Sequence, residues 1–319
     1  MARLVPIADV RRIACIGTGV IGAGWAAYFL ARGFDVVGWD PHPEARERAR
    51  RLIDQVWPTM AQLGLAKGAS PSRLTLTDTI EAAMDDAQFV QENGPERLPL
   101  KQELLARIDA LAPPDIVISS STSGFPVSEL QVRCSHPERV VVGHPFNPPY
   151  LMPLVEVLGG DRTAQDAVDW TASFYDSVGK VAIKLKAEMP GFVANRLQEA
   201  IWREALQLIA GGKATVEDIN RAMVYGPGLR WAFMGPFLQS QLTGGAGGIE
   251  HSLDQFTPEI RAPWCYAPMT EMTQTLRKTL VDGALKAADG RSTEQLIEER
   301  DRLLVALLNA IKASGPMDR

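Results

Sequence analysis

The sequence predicts an α/β fold, with an N-terminal Rossmann-type, doubly wound sheet followed by an all-helical C-terminal domain. Three observations predict it. Apolar runs of strand length alternate with helical stretches through the first half of the chain, the pattern of a sheet covered by helices. The first strand-to-helix turn carries "GTGVIG", which sets Gly17, Gly19 and Gly22 in G-x-G-x-x-G spacing. After "AEMPGF" the strand pattern stops and the periodic segments are helical. A boundary near Pro190 therefore divides the chain into residues 1–189 and 190–319.

"RIACIG" (Arg12–Gly17) is the first strand, "VIGAGWAAYFLARG" a helix closed by Gly33, and "FDVVGWD" (Phe34–Asp40) the second strand. "PEARERARRLIDQVWPTMAQLG" is a charged amphipathic helix, expected to be interrupted near Pro58 because proline removes an internal hydrogen bond. "AQFVQENG", "DIVISSST" and "RVVVGHPF" are further strands, with the helix "KQELLARIDAL" between the first two, and "KVAIKLK" ends the strand series at Lys186. The alternation argues for a parallel sheet. In the second half, "VANRLQEAIWREALQLIAGG", "TVEDINRAMVYG", "MTEMTQTLRKTLVDGALKAA" and "STEQLIEERDRLLVALLNAIKA" are helices. Thr215 and Asp218 have the form of a capping box, with Asp in place of Glu. "TGGAGG" (Thr243–Gly248) reads as a loop.

The totals exclude several classes. A net charge of -5 leaves no basic footprint for nucleic acid and no polybasic patch for a membrane surface. No apolar run approaches the length of a membrane span, and the N-terminus lacks a signal core. Cys15, Cys134 and Cys265 are scattered and odd in number, which suits a reducing compartment and argues against disulfides or a zinc cluster. The expectation is a soluble, cytoplasmic protein that takes a small-molecule substrate, with no metal, nucleic acid or membrane partner.

The glycine loop points to a cofactor. Gly17 permits the tight turn, Gly19 lets the backbone approach a pyrophosphate, and Gly22 lets helix and strand pack closely. The amides at the helix start, around Val20 and Ile21, face the phosphates. Asp40, at the end of the second strand, is placed to accept hydrogen bonds from the adenosine ribose and to repel a 2′-phosphate, so NAD is expected over NADP. The plainer alternative is a Rossmann-like turn that binds no dinucleotide.

"VVVGHPFNPPYLMPLVEV" (Val140–Val157) holds the candidate chemistry. His144 ends an apolar strand, where the carboxyl edge of a parallel sheet builds active sites. Taken alone, it reads better as a satisfied structural histidine than as a catalytic one. Glu156 bears on that choice, because a carboxylate inside "LVEV" is costly to bury without a partner. A histidine base needs such a partner to fix its tautomer and stabilise the imidazolium.

Five segments in order, "GTGVIG…WD", "QENGPERLPLK", "SSSTSG", "GHPFNPPYLMPLVEV" and "PGFVANRL", resemble the 3-hydroxyacyl-CoA dehydrogenase superfamily across nearly the whole chain. The resemblance implies a Rossmann domain, a helical domain that commonly forms a homodimer, and NAD-dependent oxidation of a secondary 3-hydroxyl. It places His144 on the family's catalytic histidine and Glu156 on its paired glutamate. Ser123 falls on the serine that bonds the reacting oxygen, and Asn147 and Asn195 on active-site asparagines. Glu96 and Lys101 fall on positions lining the nicotinamide side. The serine-rich stretch also reads as a turn, and Asn195 as a helix cap. A dinucleotide-binding structural protein is the non-enzyme alternative, and the intact site residues argue against it.

The superfamily does not fix the substrate. "GPGLRWAFMGPF", "TGGAGGIEHSLDQF" and "APWCYAPMTEMT" look most like the branch that oxidises L-carnitine. The branches acting on 3-hydroxyacyl-CoA and on gulonate are the alternatives. Asn195 departs from this branch, where some members have Asp. A quaternary ammonium offers no N–H donor, so proteins meet it with aromatic faces. Trp231, Phe233, Trp264 and Tyr266 are candidates for such a cage, or alternatively packing residues. Arg196 and Arg230 are candidates for the substrate carboxylate, or alternatively for ion pairs.

Overall fold

The computed structural model describes residues 4–232, 234–256, 271 and 273–314. The chain forms two compact units, Met1–Asn195 and Arg196–Arg319.

The first unit is built on one eight-stranded sheet. Its strands are β1 (Arg12–Ile16), β2 (Asp35–Trp39), β3 (Leu74–Thr77), β4 (Phe89–Glu92), β5 (Ile118–Ser120), β6 (Val140–Pro145), β7 (Leu154–Leu158) and β8 (Val181–Lys184). Their order is β3-β2-β1-β4-β5-β6-β7-β8, so the first six follow the doubly wound order with its switch point between β1 and β4. The helices of this unit are α1 (Val20–Ala31), α2 (Pro43–Leu63), α3 (Ile80–Met84), α4 (Leu98–Leu111), α5 (Val127–Leu130) and α6 (Gln165–Ser177). The central strands are buried on both faces, as Ile13–Ile16 and Val140–Val142 show, and so they read as unbroken apolar runs. α1 is buried from Gly22 to Ala31, between the sheet and α2. Trp25, Phe29, Phe89, Phe174 and Tyr175 form a connected aromatic core, with Trp25 stacked on Phe29 at 5.1 Å and on Tyr175 at 5.4 Å.

Three sequence expectations need correction. The sheet is not wholly parallel, because β6 and β7 pair antiparallel. Only the eight residues 146–153 join them, too few for a parallel crossover. α2 runs unbroken through Pro58. Pro58 and Asp54, whose carbonyl it leaves without its helical partner, are both exposed, where solvent lowers the cost of the lost bond. A buried stripe of Ala45, Ala49, Ile53, Val56 and Met60 holds both halves of α2 to the core. Within "TGGAGG", Gly245–Gly247 form a 3-10 turn and Gly248 opens a helix. Neither β3 nor β7 was anticipated as a strand. β3 is a four-residue edge strand with only Leu74 buried, too short to show alternation.

The second unit is helical, with α7 (Ala194–Ala210, which starts in the first unit), α8 (Val216–Tyr225), α9 (Pro227–Trp231), α10 (Pro236–Thr243), α11 (Gly248–Gln255), α12 (Gln274–Ala288) and α13 (Thr293–Ser314). The Thr215–Asp218 capping box is present.

A polar chain crosses the core of the first unit under β6. Ser119 Oγ bonds Tyr175 Oη at 2.9 Å, and Tyr175 donates to Gln91 Oε1 at 2.6 Å. Gln91 donates to Ser121 Oγ, and Ser121 donates to Asn93 Oδ1 at 2.7 Å. A methyl group on Gly143 would stand 2.3 Å from Tyr175 Oη and 2.5 Å from Ser119 Oγ. Gly143→Ala is therefore expected to cost about 1–3 kcal/mol as overpacking. Denaturant midpoints check this, and a variant as stable as wild type would show that the Tyr175–Ser119 pair yields freely.

Candidate active site

The dinucleotide turn has the geometry its glycines require. Gly17 has φ +91, and a Cβ there would lie 2.7 Å from Asn93 O. A Cβ on Gly22 would lie 1.9 Å from Gly17 O, so the helix can approach the turn only with glycine present. At Gly19 a Cβ would meet nothing within 4 Å, so that residue faces the open space a pyrophosphate needs. Gly19 caps α1 without a side-chain hydrogen bond, which leaves the amides at Val20, Ile21 and Gly22 for an anion. Thr18 Oγ1 is buried without a hydrogen-bond partner, an orphaned polar atom on the same turn. Asp40 is 8% exposed, and its two oxygens accept from Thr18 N at 2.9 Å and His42 N at 3.0 Å. Each carboxylate oxygen keeps a further lone pair for a ribose hydroxyl. These features fit a dinucleotide.

Beside this turn, Lys101 is buried and donates to Glu92 Oε1 at 3.1 Å and to Gly94 O at 3.1 Å, with Glu96 Oε2 3.5 Å away. Glu92 is fully buried and also accepts from Ser120 Oγ. Glu96 Oε1 accepts from Thr122 Oγ1, from Ser123 N at 2.9 Å and from Ser123 Oγ at 3.3 Å. Glu96, Lys101 and Ser123 thus form one cluster at the carboxyl ends of β4 and β5. Glu92 was missed at the sequence level, although "FVQE" carries the same signal as "LVEV", an acid ending an apolar run.

His144 and Glu156 are direct cross-strand partners in the β6–β7 register. His144 Nδ1 donates to Glu156 Oε2 at 2.8 Å, and Glu156 is fully buried. The other carboxylate oxygen, Oε1, accepts from Val193 N at 2.9 Å and Ala194 N at 3.0 Å. Burial pushes the Glu156 carboxyl up, but the His144 hydrogen bond and the amides of Ala194 and Val193 together outweigh it and hold the group below its ordinary value. The amides converge because Gly191 and Phe192 both take positive φ, +74 and +50. Phe192 is itself fully buried, with its ring 5.3 Å from that of His144. One residue beyond, Asn195 Nδ2 donates to Ser123 O at 3.1 Å. The segment from Phe192 to Asn195 therefore ties the His144–Glu156 pair to the Ser123–Glu96 cluster. Asn147 is exposed, three residues after His144.

The remaining predicted residues belong to the second unit. Arg196 is exposed in the first turn of α7, and Arg230 and Trp231 are exposed at the end of α9. Phe233, Trp264 and Tyr266 lie outside the described residues.

Residues 12–188 match the model of the 3-hydroxyacyl-CoA dehydrogenase NAD-binding domain, and residues 191–284 match that of the C-terminal domain. The chain belongs to the 3-hydroxyacyl-CoA dehydrogenase family. It is an NAD-dependent oxidoreductase, and its first unit carries the family's NAD-binding domain. The chain is 56% identical to an L-carnitine dehydrogenase of Streptomyces coelicolor, with 97% of each chain covered. It is 47% identical to an L-carnitine dehydrogenase of Pseudomonas aeruginosa, covering 96% of this chain and 95% of that one. Among solved structures it is similar to 5-formyl-3-hydroxy-2-methylpyridine 4-carboxylic acid 5-dehydrogenase, an NAD+-dependent dismutase. That structure has 29% identity and a TM-score of 0.82, with 95% of this chain and 99% of that chain covered.

The depressed Glu156 carboxyl sets a direction for stability against pH. A lowered folded-state pKa adds stability that is present above the ordinary value of 4.5 and lost as pH falls through the folded-state value. Denaturant midpoints of the wild type should therefore drop as pH falls from 4.5 toward the lower folded-state value, and Glu156→Gln should flatten the slope. Equal acid slopes in the two proteins would remove Glu156 from the acid response.

Proposed function

We propose that this dehydrogenase oxidises L-carnitine with NAD to 3-dehydrocarnitine. The full-length likeness to an L-carnitine dehydrogenase at 56% identity carries the reading. When bound, NAD supplies the acceptor for the hydride leaving the hydroxyl carbon. The chain's residues handle the proton. With Nδ1–H committed to Glu156, His144 presents the lone pair of Nε2 and takes the proton of the 3-hydroxyl. The ionised Glu156 holds the ring's orientation and stabilises the imidazolium. Ser123 and Asn195 bond the substrate oxygen, while Glu96, Lys101 and Asn147 line the nicotinamide side. Asp40 orients the adenosine ribose and disfavours a 2′-phosphate.

For the substrate, Trp231 offers an exposed ring face, with 40% of its surface accessible. Together with Phe233 it would meet the trimethylammonium group by cation–π attraction. Arg196 and Arg230 are proposed for the carboxylate, through bidentate pairing.

The protein is further proposed to be a cytoplasmic homodimer. Cys15 and Cys134 are buried free thiols, as a reducing compartment allows. In the helical unit Trp202, Tyr225, Leu229, Phe237 and Leu253 are each more than half exposed. Among its described residues the buried hydrophobics are only Leu206, Met234, Leu276 and Val305. A helical unit so thinly buried suits packing against a second copy. Sedimentation at micromolar concentration should give twice the chain mass, whereas a monomer there would overturn the assignment.

The activity is tested by supplying purified protein with NAD and, separately, L-carnitine, gulonate and 3-hydroxybutyryl-CoA. Carnitine should be oxidised best. His144→Ala should lower kcat by about 10²–10⁴-fold while NAD binding persists. Trp231→Leu should raise KM for carnitine, by a contact worth about 0.5–2 kcal/mol, and leave KM for NAD unchanged. Faster turnover of either other compound would sink the carnitine reading, and near-normal turnover by His144→Ala would remove it from the chemistry.

A further inference from the structure

Lys180 is a buried lysine that the chemistry above does not use. It sits in the turn between α6 and β8, only 4% exposed. Its Nζ donates to two backbone carbonyls of the loop joining β6 to β7, those of Pro149 and, at 2.9 Å, Met152. The same Nζ lies 3.7 Å from the ring centroid of Tyr28 and 4.9 Å from that of Trp25, both on α1. Among the described residues, the charge bearing on it is that of Arg32, of like sign. Burial, and secondarily Arg32, push its ammonium well below the usual lysine range. A lysine so placed is costly, and an apolar residue would fill the space between two rings more cheaply. What lysine adds is a pair of hydrogen bonds to one particular loop.

That loop carries Asn147 and connects the strands of His144 and Glu156. It also leans directly on α1, because a Cβ on Gly24 would stand 2.9 Å from Pro149 Cδ. Its own closure is local, with Leu151 N and Met152 N both donating to Pro148 O, at 3.0 and 2.9 Å. Its three prolines, Pro148, Pro149 and Pro153, leave it fewer amides with which to bond its surroundings, so carbonyls carry part of its anchorage. Lys180 supplies the donors. The turn bearing Lys180 is itself held to α1 by Tyr28 Oη, which donates to Val178 O at 2.8 Å.

We propose that Lys180 is a positioning residue for the oxidation. It fastens the Asn147–Met152 loop to the dinucleotide helix α1 and thereby sets Asn147 at the reacting edge of the sheet. The proposal rests on the reading that the His144 site carries the reaction. It assigns Lys180 no contact with substrate or cofactor. The His144–Glu156 pair is fixed by strand register, so Lys180 acts on the loop and not on the base.

Lys180→Met keeps the side chain's length and loses its donors. It is expected to lower kcat about 10–100-fold, the scale of a misplaced active-site group, with the NAD dissociation constant within about twofold of wild type. Combined with Asn147→Ala, it should lose no more than Asn147→Ala does alone, because both act through one group. Hydrogen exchange, which needs no substrate, should quicken at Leu151 and Met152 and stay unchanged over Val140–His144. Unchanged kcat, losses that multiply in the double variant, or exchange quickened throughout the sheet would each overturn the proposal. If Lys180→Met does not fold, Lys180→Gln, which keeps one donor group, should show the same pattern with smaller losses. Failure of the carnitine reading shows separately, in the wild type. The cycle is then measured on whichever 3-hydroxy compound the wild type oxidises, and loop exchange decides if it oxidises none.

Discussion

The structure depends on one cross-strand pair. His144 and Glu156 face each other because β7 returns antiparallel beside β6 in a fixed register. A slip of one residue would turn Glu156 to the opposite face of the sheet and set an unpaired acid in an apolar layer. The register that pairs His144 with Glu156 is thus also the one the core tolerates. Burial selects this pairing, which is how a fully buried carboxylate persists in a strand that otherwise reads as core.

A buried carboxylate needs more than one partner. Glu156 finds the rest at Val193 and Ala194, where the backbone leaves the sheet domain and α7 begins. Amides at a helix start are unbonded by their own helix and carry the positive end of its dipole. The positive φ of Gly191 and Phe192 is what aims them. Phe192 carries a backbone conformation uncommon for a non-glycine residue. Burial of its ring against His144 offsets that cost. The segment that starts the helical half therefore also completes the electrostatics of the buried His144–Glu156 pair.

Much of this was legible in the sequence, and for identifiable reasons. The glycine spacing, Asp40 and the apolar runs are local signals, and the doubly wound fold class follows from them. The acid in "LVEV" is a local anomaly that pointed to a buried partner, and His144 is that partner in the structure. The antiparallel return of β7 was hidden because short buried strands look alike whichever way they run. β3 was hidden because an edge strand of four residues barely alternates. Pro58 misled because its exposure lets solvent lower the cost of the missing bond. The amides of Val193 and Ala194 have no signature at all, since every residue but proline has an amide and only the fold decides where it points. Lys180 escaped for a related reason: in "GKVAIKLK" it looks like one more surface lysine, and its burial depends on an aromatic pair more than 150 positions away.

The same division explains why reaction type reads more easily than substrate. The proton transfer proposed above rests on residues whose positions follow from strand register and a helix start, both rigid constraints in one unit. Recognition of a trimethylammonium group requires only π-faces at suitable distances, which many arrangements of aromatic side chains supply. Nothing in backbone geometry forces Trp231 to be tryptophan, whereas burial forces Glu156 to have its partners. Residues that the fold over-determines announce themselves as anomalies, an acid or a glycine where the local pattern calls for something else. Residues chosen for a ligand fit their helices without conflict, so they stand out only against related chains.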